Sequence, residues 1–159
     1  MKRLLTFTSA VLCCAVFFMQ QAGGEAPKVQ SMKRQIIHIP DAPSNPLYSQ
    51  AVKVGPTIYI TGVPGIDPKT NKVAGPSIQE QTRQALITCQ NILRAAGAEL
   101  TDVVEVQGLL ARPEDFAGFN EAYAKFFPKD PPVRSVARLG PDLGGILISI
   151  RMTAVVTDE

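Results

Sequence analysis

Arg134 carries the most pointed chemistry in this chain. It directly follows Pro131, Pro132 and Val133, and it alternates with Val136 and Arg138 as residues on one side of a strand would. Prolines stiffen the approach, so the guanidinium is set in advance as a fork of donors. Such a fork grips a carboxylate through two parallel charge-assisted hydrogen bonds, each worth about 1.5–3 kcal/mol. The alternative is an ordinary surface ion pair with one of the 14 acidic residues. Few other residues compete for a chemical role. The single histidine, His38, lies among Ile36, Ile37 and Ile39, the setting of a structural or surface residue in an apolar strand. A Ser-His-Asp triad would have to use it, and a Cys/His zinc site lacks ligands. Phosphate-loop, GxGxxG, GxSxG, CxxC and HExxH patterns are absent from the sequence, so simple hydrolase and nucleotide readings lose their usual support.

The elements that must hold Arg134 are legible from periodicity. Gln35–Ile39 reads as a first strand, and Val52–Val54 and Thr57–Thr61 form a hairpin across the turn pair Gly55-Pro56. Asp67 to Asn71 is a second turn. Ser77-Ile78-Gln79-Glu80 matches a capping box, after which Ile78, Ala85, Leu86, Cys89, Ile92, Leu93 and Ala96 recur on one helical face until Gly97 stops it. Cys89 sits in that stripe and reads as a small buried hydrophobe. Val103–Leu110 is a central strand. Pro113 opens a second helix with Phe116, Phe119, Tyr123 and Phe126 along one core-facing side, and Pro128 closes it. Val133–Leu139 and Ile146–Thr157 are the last strands. In the final one Ile148, Ile150, Met152, Ala154 and Val156 point one way, and Ser149, Arg151, Thr153 and Thr157 the other. This order implies an α+β domain: one mixed sheet with both helices packed on a single face. The other face, with Leu147 and Val155 expected on it, invites closed self-association.

The first residues stand apart from that domain. Lys2 and Arg3 precede an uncharged apolar run from Leu4 to Met19, and Ala22-Gly23-Gly24 offers a small-residue cleavage site. Residues 1–24 read as a secretory signal peptide; the alternative, a membrane anchor, would need roughly 20 apolar residues. Residues 25–33 read as a polar linker and 34–159 as the folded domain. Export with cleavage places the mature protein in a periplasmic or extracellular compartment, without stable membrane association. The leader also carries the basic excess. The chain has 16 Lys and Arg against 14 Asp and Glu; Lys2 and Arg3 leave with the leader and no acid does, so 14 face 14 in the 135 residues that remain. A neutral domain gives no warrant for a nucleic-acid partner.

Ordered motifs sharpen the reading. Tyr48-Ser49-Gln50-Ala51, Ile58-Tyr59-Ile60-Thr61-Gly62, Asp67-Pro68-Lys69-Thr70, Ala95-Ala96-Gly97, Asn120-Glu121-Ala122-Tyr123 and Pro132-Val133-Arg134-Ser135 occur in the order of the Rid (YjgF-type imine deaminase) family signatures. The resemblance spans about residues 34–157. It implies a chorismate-mutase-like fold assembled as a homotrimer, with sites in clefts between subunits. It also implies hydrolysis of 2-imino acids to 2-keto acids and ammonia, without metal or organic cofactor. Arg134 would then pair with the substrate carboxylate, Tyr48 would line the pocket from the facing subunit, and Thr61 and Gly62 would add polar and backbone contacts. Val136 takes a place often held by cysteine, and Asn120 one of structural support.

This chain departs from the pattern on its last strand. The family carries I-E-I-E-A there, with a glutamate taken to activate water; this chain reads Ile150-Arg151-Met152-Thr153-Ala154, which puts Thr153 in that place. The shorter stretch after Arg134 also allows a register shifted by two at Arg151 and Thr153, and either register removes the glutamate. Retention of Arg134 with loss of the carboxylate leaves a second function open, a non-catalytic binder of small carboxylates on the same trimeric scaffold.

Overall fold

The computed structural model describes residues 32–39 and 45–157. The expected leader, residues 1–24, and most of the linker expected over 25–33 lie outside the described residues. Eight strands form: β1 (Arg34–Ile37), β2 (Ala51–Val54), β3 (Thr57–Pro64), β4 (Ile66–Asp67), β5 (Lys72–Val73), β6 (Val103–Leu110), β7 (Val133–Arg138) and β8 (Ile148–Val155). Two helices accompany them, α1 (Ile78–Ala95) and α2 (Phe116–Tyr123). Six strands make one sheet in the order β1-β2-β3-β8-β6-β7. Every pairing is antiparallel except β6 with β7, which α2 joins as a crossover. The expected mixed sheet with both helices on one face is the fold observed.

Local chemistry explains the best-defined elements. The Ser77 hydroxyl accepts from the Glu80 backbone N–H while Glu80 accepts from the Ser77 N–H and hydroxyl, closing the capping box at the start of α1. Those Ser77 bonds hold the Glu80 carboxyl below its ordinary range. Gly55, at φ +56°, turns the β2–β3 hairpin in the left-handed region that a side chain disfavours. The core lies between sheet and helices. Ile58, Ile60, Val106, Ile148, Ile150 and Met152 of the sheet meet Leu86, Cys89, Ile92 and Leu93 of α1, all essentially inaccessible to solvent. Gly108 of β6 is a close-approach position: a Cβ there would lie 2.9 Å from the Phe119 ring tip, so its absence lets α2 settle on the sheet.

Several expectations need correction. Leu147 packs against the core rather than on the open face, because its N–H donates to the buried Gln81 side chain and draws the strand entry inward. α2 ends at Tyr123, so the aromatic stripe runs through Phe119, Tyr123 and Phe127, while Phe116 is 45% exposed and Phe126 only half-buried. The first and last strands are shorter than the alternation implied. The small β4–β5 hairpin was not anticipated; the Asp67 carboxylate accepts from the Lys69 N–H and the Thr70 hydroxyl to make its turn.

Candidate active site

Arg134 sits on β7 at the free edge of the sheet, paired in register with Val106. Val106 is buried, so alternation puts Arg134, Val136 and Arg138 on the helix-covered face. The guanidinium lies over two rings of α2, 5.2 Å from the centroid of Phe119 and 4.7 Å from that of Tyr123. Stacking on aromatic faces fixes a guanidinium's plane while leaving its N–H donors free. Among the described residues Arg134 makes no ion pair. Burial pushes the Tyr123 phenol up from its ordinary pKa, with the Arg134 charge pulling the other way. The Tyr123 hydroxyl and Asn120 Oδ1 on the same helix are buried without a hydrogen-bond partner among the described residues.

The other candidates lie elsewhere in the chain. Tyr48, Thr61 and Gly62 line a cleft of about 240 Å³ with Gln50, Asn91 and Ile92. The Thr61 N–H donates to the Gln50 carbonyl at 3.0 Å, pinning the strand beside Tyr48. Thr61 and Gly62 form a bulge between the paired residues Ile60 and Val63, opposite Arg151 of β8. Gly62 faces Ser149, where a Cβ would come 2.8 Å from Oγ. Val136 lines a separate groove with Leu110, Pro113 and Phe116. Thr153 lies between Tyr59 and Glu105 in register on the open face, its hydroxyl donating to Glu105 at 3.4 Å.

The single chain therefore does not gather the expected residues. Arg134, Val136 and Asn120 belong to the helix-side edge, Tyr48, Thr61 and Gly62 to the opposite end, and Thr153 to the open face. Two residues of the Arg134 setting, Phe119 and Tyr123, were read only as core; their spacing of four, matching one helical turn under the strand, was the available signal. Glu105 gave no signal, because its neighbour Thr153 is 48 positions away in sequence. No group of three metal-ligating side chains occurs among the described residues.

The family model described as Endoribonuclease L-PSP matches residues 39–156. A RutC family protein of Saccharolobus solfataricus is 44% identical over 110 residues, covering 67% of this chain and 85% of its own. The human 2-iminobutanoate/2-iminopropanoate deaminase is 36% identical over 129 residues, covering 80% of this chain and 93% of its own. The crystal structure of RidA from an Antarctic Psychrobacter superimposes with a TM-score of 0.71 at 32% identity, over 77% of this chain and 99% of that one.

Proposed function

Since this chain belongs to the Rid family, we propose that it hydrolyses 2-imino acids to 2-keto acids and ammonia at a site assembled between copies of itself. The observation that carries the reading is the Arg134 guanidinium, stacked on Phe119 and Tyr123 and free of any ion pair among the described residues. Its donors are left for an external anion, and the substrate carboxylate is the anion a 2-imino acid presents. The human relative is named for two such substrates.

The chemistry asks little of the protein. A protonated imine carbon is already electrophilic. Water adds to it, the C=N π pair moves onto nitrogen, and a proton passes from oxygen to nitrogen. The C–N bond then breaks while the remaining hydroxyl proton passes to the departing ammonia, leaving the keto acid and ammonium. Holding substrate and water in reach of one another is a proximity effect, and two proton transfers complete the step. No metal or organic cofactor enters the scheme.

The reading calls for a homotrimer, because Arg134 and Thr153 face opposite sides of one sheet and a substrate can meet both only across two subunits. The open face carries Ile36, Tyr59 and Val133, which are 40%, 45% and 71% exposed in the isolated chain, the apolar surface that assembly would cover. Light scattering at three times the protomer mass is the expected result; a monomer at micromolar concentration contradicts it.

Export after removal of residues 1–24 accompanies the proposal, and N-terminal sequencing of the mature protein starting at Met1 contradicts it. RNA cleavage is disfavoured, since the mature chain is formally neutral; steeply salt-dependent RNA binding would reverse that judgement. A second reading, carboxylate binding without turnover, is favoured by Arg151 and Thr153 standing where the family carries glutamates. The test generates 2-iminobutanoate in situ and compares wild type with Arg134→Ala. Acceleration by wild type alone supports catalysis, and no acceleration above the spontaneous rate leaves only binding.

A further inference from the structure

We propose that Glu105, opposite Thr153 on the open face of the sheet, is the carboxylate that takes the proton of the attacking water. This rests on the deaminase reading and supplies the base that β8 lacks. Glu105 of β6 and Thr153 of β8 are direct partners in the antiparallel register, and the Thr153 hydroxyl donates to Glu105 Oε2 at 3.4 Å. Side chains so paired stand with Cβ atoms about 4.5–5.5 Å apart. A glutamate reaches across that gap, so its oxygens lie where a carboxylate at position 153 would have put them.

The surroundings suit the role. Glu105, Gln107, Arg151 and Thr153 line a recess of about 100 Å³ floored by Met152. A water molecule needs only about 10–15 Å³ of such space and two to four polar partners, which an amide, a hydroxyl, a guanidinium and a carboxylate provide. Arg151 and, across Thr153 on β3, Tyr59 are the charged and titratable groups beside Glu105 on this face. Arg151 of the recess also lies opposite the Thr61–Gly62 bulge in register, and that bulge lines the cleft with Tyr48. Other carboxylates already hold structure. Glu80 caps α1, Asp67 makes a turn, Asp115 pairs with Arg112, and Glu99 pairs with Arg94. Among the described residues the Glu105 carboxylate accepts from the Thr153 hydroxyl and forms no ion pair.

In the step assigned to it, the water oxygen bonds to the imine carbon as its proton moves to a Glu105 oxygen. The C=N pair moves to nitrogen, the same carboxyl then returns the proton to that nitrogen, and the hydroxyl on carbon gives its own proton to the departing ammonia as the C–N bond breaks. The carboxylate ends as it began.

The experiment measures hydrolysis of 2-iminobutanoate generated in situ by the full mature protein, with oligomeric state and circular dichroism checked for each variant. Glu105→Gln, isosteric at an exposed position, is expected to lower kcat about 100-fold, the low end for loss of a general base, with KM unchanged. Thr153→Glu added to Glu105→Gln is expected to regain at least tenfold, because it restores a carboxylate across the strand pair. Wild-type kcat in Glu105→Gln, with Arg134→Ala inactive, overturns the assignment and leaves the deaminase reading standing. A wild-type protein that does not accelerate the reaction overturns both. A Glu105→Gln loss that Thr153→Glu leaves untouched also counts against the assignment.

Discussion

Replacing Gln81 with glutamate tests how the loop that feeds β8 is held. Gln81 is 1% exposed, and its amide is fully used: Nε2 donates to the carbonyls of Gly75 and Gly145 at 3.0 and 2.9 Å, and Oε1 accepts from the Leu147 N–H at 2.8 Å. A carboxyl of the same shape keeps the Leu147 bond but turns an oxygen toward two carbonyl oxygens. An ionised form would be repelled in a buried setting, so the folded state holds the group protonated, with one donor where there were two. Keeping a carboxyl of ordinary pKa about 4.3 protonated at pH 7 costs about 3.7 kcal/mol, and the lost hydrogen bond adds about 1. The folded pKa is raised, so the penalty is absent below the unfolded value and grows as pH rises above it. Gln81→Glu should therefore be about 5 kcal/mol less stable than wild type at pH 7 and about 2 kcal/mol less stable at pH 5. Urea unfolding at one fixed protein concentration reads this as a midpoint about 2 M lower at pH 7, closing toward wild type in acid. Equal stability at pH 7, or a gap that does not narrow with acid, would refute the account of this loop.

Other consequences follow from the same packing. Gly108→Val should displace Phe119, whose ring tip lies 2.9 Å from the Cβ position, and so cost about 1–3 kcal/mol while weakening 2-keto acid binding through the lost Arg134 platform; unchanged binding would separate the platform from the site. Burial pushes the Cys89 thiol up to about 12 from 9.0, so above pH 9 only the unfolded thiol ionises and stability falls, by about 2 kcal/mol at pH 10.5. Cys89→Ala should flatten that alkaline loss in denaturant titrations, and an identical slope would contradict it.

Much of the fold was legible because its signals are local. The Ser77–Glu80 box, the α1 stripe through Cys89 and Leu93, and the turn pair Gly55-Pro56 each lie within a few residues of what they determine. Where the reading slipped, a distant partner decided. Leu147 faces the core because Gln81, 66 positions earlier, holds its N–H, and α2 stops at Tyr123 because the chain must turn back to reach β7. The site was legible as residues and motif order, not as geometry. Arg134 stood out beside its prolines, yet nothing near it in sequence showed that Phe119 and Tyr123 would lie beneath it. Nor could local pattern put Glu105 across from Thr153, since strand register is set by the whole sheet.

The claim on which the functional account depends is that the Arg134 fork grips a substrate carboxylate. Calorimetric titration of 2-oxobutanoate, the keto acid product of 2-iminobutanoate, into wild type, Arg134→Lys and Arg134→Ala measures it directly. The account predicts that lysine, a point charge without the bidentate fork, weakens binding about tenfold, and that alanine weakens it about 100-fold or more. Equal affinity in all three proteins would contradict it.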